Sequence, residues 1–178
     1  MKNEELKKWS GLRIVWIMLC AAFFILHSSL FISCSSIDCP VENVVATVYK
    51  LQKSDGTPDT LYDSLTVFSR RKNGTDTILL DHITSTTQFQ LQVGHTNPED
   101  TLYFLISNGS YSAQDVVFIK KENTPHFESV DCSIAYFHKI TGVRLGSHNV
   151  IDSISIIKTE VNYDLSSEHF HICFKARR

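Results

Sequence analysis

The chain is poor in the residues from which most catalytic and nucleotide-binding motifs are built. Only 7 glycines and 4 prolines occur in 178 residues. The glycines stand in turn-like stretches, so no glycine-rich loop is available to cradle a phosphate. Both tryptophans (Trp9, Trp16) and both methionines (Met1, Met18) fall near the start. The rest of the chain therefore has no indole to serve as a sugar-stacking platform. The formal net charge is only −2, which leaves no basic surplus for a nucleic acid or an anionic lipid surface. Beyond residue 34 there is no helical period of useful length. No serine or cysteine sits in a nucleophile elbow, and Glu128, Asp131 and Asp152 read as surface carboxylates. A non-enzyme without a cofactor is the expectation.

What is present begins at the N-terminus. Lys2, Lys7, Lys8 and Arg13 precede an apolar run from Ile14 to Leu26. That run is shorter than the roughly 20 residues needed to span a hydrocarbon core. His27-Ser28-Ser29 interrupts it, and Phe31-Ile32-Ser33-Cys34 follows. A charged start, a short apolar stretch and a cysteine behind a small residue read as a lipoprotein signal. Residues 1–33 are then removed and Cys34 takes a diacylglyceryl group and a further acyl chain of the palmitate kind. Residues 34–40 form the tether and 41–178 the folded domain. Two or more chains anchor stably where one binds marginally. Phe31 departs from the usual Leu or Val at its position. An uncleaved signal anchor over Leu12–Ile32 and ordinary cleavage are the alternatives.

Removing the leader leaves 145 residues, enough for one domain with its own core. The leader carries four basic and two acidic residues, so the remainder stands near −4. Four of the 5 cysteines follow the apolar run: Cys34, Cys39, Cys132 and Cys173. Cys39 and Cys132 occupy loop or strand-edge positions, while Cys173 lies inside a strand pattern. In an oxidising compartment a Cys39–Cys132 pair is favoured, with Cys173 free and all three reduced as the alternative.

Short alternating or β-branched runs recur along this stretch. The clearest is Gln88–Val93, with Phe89, Leu91 and Val93 on one face and three glutamines on the other. Others are Val44–Leu51, Leu65–Arg70, Thr77–Leu80, Leu102–Ser107, Val116–Lys121, Ile134–Thr141, Ser153–Lys158 and His169–Lys175. Asn73-Gly74 marks a hairpin between the second and third of these in chain order, because both residues tolerate positive φ. Nine strands at this spacing predict an all-β, antiparallel, immunoglobulin-like sandwich in one domain, preceded by the N-terminal signal or anchor helix.

Two patterns offer chemistry. His169 and His171, two apart on one strand, would face the same way and could share a metal. Such a site needs further ligands, for which His126, His138 and His148 are available. A solvated row explains the same alternation. Secondly, Asp-(Ser/Thr)-(Leu/Ile) occurs five times, with Thr60, Ser64, Thr77, Thr101 and Ser153 in the middle. It resembles the O-glycosylation signal of Bacteroidota envelope proteins. The plain reading is a turn aspartate followed by the start of a strand.

Three segments carry a wider likeness: Thr124–Cys132, Ser36–Pro40, and Asn162–Asp164 with Glu168–Ile172. They resemble an uncharacterised family of small Bacteroidota envelope lipoproteins, a domain of unknown function. The resemblance implies a lipid-anchored envelope protein with Cys39 and Cys132 paired, and implies no reaction. The expectation is a non-catalytic binding or structural module, held through its lipid on the periplasm-facing outer membrane leaflet. It would contact a protein or glycan partner and no nucleic acid. Metal binding or metal-dependent activity at His169/His171 is the alternative function.

Overall fold

Where a strand buries one face only, its side chains must alternate, and Gln88–Gln92 does so: Phe89 and Leu91 are buried and the glutamines exposed. The computed structural model describes residues 16, 18–20, 39, 44–70, 74–130 and 132–175. These include ten strands: β1 (Ala46–Leu51), β2 (Ser64–Arg70), β3 (Asp76–Ile83), β4 (Gln88–Gln92), β5 (Glu99–Asn108), β6 (Tyr111–His126), β7 (Ala135–Leu145), β8 (Ile151–Ile156), β9 (Glu160–Val161) and β10 (Phe170–Phe174). The chain divides between Asp38 and Cys39. Of the first part, Trp16 and Met18–Cys20 are α-helical. Among the described residues no helix is long and apolar enough to cross a membrane. Cys34 lies outside the described residues.

The strands form two sheets, ordered β4-β1-β10-β8 and β3-β2-β5-β6-β7-β9. Their apolar faces meet in one core that includes Leu65, Val67, Phe104, Ile106, Val117, Phe170 and Ile172. Tyr49 of β1 sits at its centre. Its ring stacks on Phe89 and on Phe170, each at 4.9 Å, and meets Phe104 of the other sheet edge-on at 6.2 Å. Such aromatic pairs contribute roughly 0.5–1.5 kcal/mol each beyond the area they bury.

The all-β expectation stands, but the wholly antiparallel one needs correction. β1 and β10 run parallel, with Tyr49 beside Phe170 and Leu51 beside Ile172. No hairpin joins these two strands; nearly the whole domain does, so no tight turn forces them antiparallel. The two-residue β9 was not anticipated, because so short a strand carries no alternation. β5 and β6 run longer than expected, through to the Asn108-Gly109-Ser110 turn. At the expected β2–β3 hairpin Gly74 takes φ +81°, while Asn73 lies outside the described residues.

Two buried polar side chains tie the sheets together. The Asp115 carboxylate on β6 accepts the N–H groups of Asn149, Val150 and Ile151, each at 2.7 Å, and so pins the start of β8. His169, just ahead of β10, accepts the Val48 N–H through Nδ1 at 3.0 Å. Its Nε2 lies 3.2 Å from the Glu160 carbonyl of β9. Each side chain satisfies at least one backbone N–H of a buried residue, Val150 and Ile151 for Asp115 and Val48 for His169.

Candidate binding surfaces

The expected His169/His171 row is not formed. His169 sits one residue outside β10, is fully buried and uses both ring nitrogens within the fold. Burial holds its pKa below the ordinary histidine value, so the ring is neutral. His171 is half-buried, with Nε2 2.8 Å from Glu168 Oε2. The three further candidate ligands are engaged or set elsewhere. His126 stacks on Phe137 at 4.0 Å, His138 bonds Asn123 at 2.7 Å, and the carbonyl of exposed His148 accepts from Lys175. Among the described residues no three His, Cys, Asp or Glu side chains stand close enough to hold a metal.

Three of the five Asp-(Ser/Thr) motifs converge. A cleft of about 560 Å³ opens beside the end of β10, and its walls include Asp59, Asp63, Asp152, Cys173 and the two lysines Lys53 and Lys175. The carboxylates come from three of the five motifs. The segment after β1 supplies two of them and β8 the third. That segment is held by isolated bridges at Gln52–Pro58 and Leu61–Thr86, with Leu61 buried as its plug. Tyr62, 77% exposed, stands at the wall between Leu61 and Asp63. Burial, then the nearby Asp152 and Asp59 carboxylates, push the Cys173 thiol up, so it stays protonated and unreactive. Of the five hydroxyls, Ser153 is exposed and Thr60, Thr77 and Thr101 are half-buried. The Ser64 Oγ is buried without a hydrogen-bond partner, so it is closed to a glycosyl group once the domain has folded.

The opposite character marks the end of β6 and the start of β7. Cys39 and Cys132 form a disulfide there, with Cα atoms 5.6 Å apart. His126, Phe137 and Tyr163 pack ring to ring, with Phe137 and Tyr163 edge-on at 5.0 Å. His95 stacks on Tyr136 at 4.2 Å. The Cys132 N–H donates to the Ser129 carbonyl at 3.2 Å within the connecting loop. Phe127, Val130 and Ile134 are 64%, 97% and 50% exposed on it. The sequence showed this stretch as a loop or strand-edge cysteine ahead of the Ile134–Thr141 strand; the aromatic cluster depends on β6–β7 pairing.

A third polar group is sealed between the sheets. The Lys121 ammonium, wholly buried, pairs with Asp100 at 2.6 Å and donates to the Asn97 carbonyl at 3.1 Å. Burial, then repulsion from Lys121 and His95, lower the His138 pKa to about 4. The Tyr49 hydroxyl nearby has no hydrogen-bond partner, and burial pushes its pKa up. A cavity of about 10 Å³ separates these groups, room for about one water. That is a structural polar network.

No curated protein and no solved structure matches the chain. The model of a family of unknown function (DUF6452) matches residues 64–174, the stretch from the start of β2 to the end of β10. The match takes in Asp115, Cys132 and His169, the residues that staple the two sheets and the β6–β7 loop, so the chain belongs to this family of unknown function, DUF6452.

Proposed function

We propose that this protein is a lipid-anchored, non-catalytic binding module of the bacterial cell envelope, built on an immunoglobulin-like sandwich. Cys34 carries the lipid, and the domain faces the periplasm from the outer membrane of a member of the Bacteroidota. The basic, apolar and Cys34 pattern of residues 1–34 supports the anchor. The Cys39–Cys132 bridge accords with an oxidising compartment.

The single observation that carries the binding role is the cleft beside β10. Its volume lies within the range of small-ligand sites. Its groups suit a glycan better than an apolar ligand. The exposed Tyr62 ring offers a stacking face, three aspartates accept hydroxyl hydrogen bonds, and Lys53 and Lys175 donate them. The test places a photo-crosslinking phenylalanine analogue at Tyr62 in cells. A discrete adduct whose added mass is a sugar series supports the reading. A protein-sized adduct replaces the glycan by a protein partner, and no adduct overturns the binding role of the cleft. The same intact-mass spectrum reads the Asp-(Ser/Thr) motifs, where Ser153 is the acceptor most open to hexose additions.

A further inference from the structure

We infer that the loop between β6 and β7 is a membrane-contact tip, whose partner is the lipid bilayer in which the chain is anchored. The inference rests on the anchor at Cys34 proposed above. Phe127, Val130 and Ile134 put three large apolar side chains, each at least half exposed, on a loop of eight residues. Exposed apolar residues scattered singly are ordinary, but a cluster at one loop marks a surface that something covers. The loop carries two carboxylates, of which Glu128 is paired with His126 at 2.9 Å, which softens its aversion to a lipid interface, and Asp131 lies outside the described residues.

Chain length says what covers it. Cys132 lies in this loop and is bonded to Cys39, five positions after Cys34. Five residues reach at most about 18 Å when fully extended. The Cα of Cys132 therefore cannot be more than about 24 Å from that of the acylated cysteine, whatever path residues 34–39 take. An anchor at Cys34 thus keeps Cys132 within about 24 Å of the acylated residue. The β5–β6 turn at Tyr111 sits at the far end of β6, some 16 residues or about 50 Å away along the strand. A lipid surface, not the aqueous periplasm, is thus the first large apolar body within reach of Val130. Two acyl chains hold the protein, and the tip holds its orientation.

The absence of tryptophan after residue 16 makes the test direct. Full-length V130W and Y111W chains are expressed with the native leader, purified from membranes and reconstituted in phosphatidylethanolamine–phosphatidylglycerol vesicles with brominated or plain acyl chains. Val130 is almost wholly exposed, so its replacement leaves the core untouched. Bromine should remove most of the V130W emission, which should also be blue-shifted, and leave Y111W unchanged. Intact mass is read on the same samples. Equal V130W emission in both vesicles, in protein carrying the lipid, overturns the tip contact and leaves the anchor standing. A blue-shifted V130W emission that bromine does not quench means that a second copy of this chain covers the tip, and also overturns it. A mass that retains Met1–Ser33 removes the Cys34 anchor, and this inference with it.

Discussion

Replacing Asp115 should unfasten the two sheets. Its carboxylate is fully buried and is the shared acceptor for three backbone N–H groups, those of Asn149, Val150 and Ile151. In Asp115→Ala the donors of Val150 and Ile151, both buried residues, lose their partner, whereas the exposed Asn149 can turn to water. Two orphaned buried donors and a lost charge-assisted acceptor cost about 3–5 kcal/mol. That is a large share of the roughly 5–15 kcal/mol that holds a domain folded. Asp115→Asn keeps one acceptor oxygen but turns an amide NH₂ towards an N–H, so about 2–3 kcal/mol is expected. Guanidinium unfolding followed by far-ultraviolet circular dichroism, with the disulfide intact, gives both values. The pH dependence supplies a sharper check. Burial alone would raise the Asp115 pKa, but the bonds from Ile151, Asn149, Ser147 and Val150 together hold it below the ordinary carboxylate range. Its stabilisation is therefore complete above the unfolded value of about 3.9 and is lost as pH falls through the lower folded value. The gap between the native chain and D115A should be flat from about pH 5 to 8 and narrow below about pH 4. A D115A chain within about 1 kcal/mol of the native one at neutral pH would refute the reasoning.

Three further outcomes follow from the interior and the disulfide. His138 should titrate near pH 4 by nuclear magnetic resonance; its folded pKa is depressed, so stability should fall by up to about 3 kcal/mol as pH drops from about 6.5 towards 4, and H138N should flatten that slope. Tyr49→Phe removes a buried hydroxyl without a partner and should change stability by no more than about 1 kcal/mol, towards stabilisation; a larger loss in thermal unfolding would reveal an internal water bonded to it. Cys132→Ser opens a bridge between residues 93 apart in sequence and should lower the denaturation midpoint by the equivalent of about 2–4 kcal/mol, while an unchanged midpoint would mean that the bridge does not constrain the unfolded chain.

The sites were legible in unequal measure. Asp115 and His169 look unremarkable in one dimension, since each lies beside a strand pattern that explains itself without them. Alternation even misleads at His169: counting it with His171 puts both on one open row, but β10 starts one residue later and the His169 ring is buried. The five Asp-(Ser/Thr) repeats were visible, whereas the meeting of three of them was not, because it needs β8 and the segment after β1 to flank β10. The aromatic end of β6 and β7 was hidden in the same way. Its rings come from residues far apart in the chain, such as His126 and Tyr163, 37 positions apart, which register and β9 bring together.

By itself, the sequence determined the local quantities: strand periods, turn residues, and which two cysteines occupy loops. Each depends on neighbours within a few residues, where side-chain direction follows from backbone geometry alone. Tertiary structure alone decided the parallel β1–β10 pair, the burial of His169 and Lys121, the cleft, and the exposure of the tip at Val130. Those depend on which strands become neighbours, and that choice is made by the whole core closing around Tyr49 rather than by any segment of the chain.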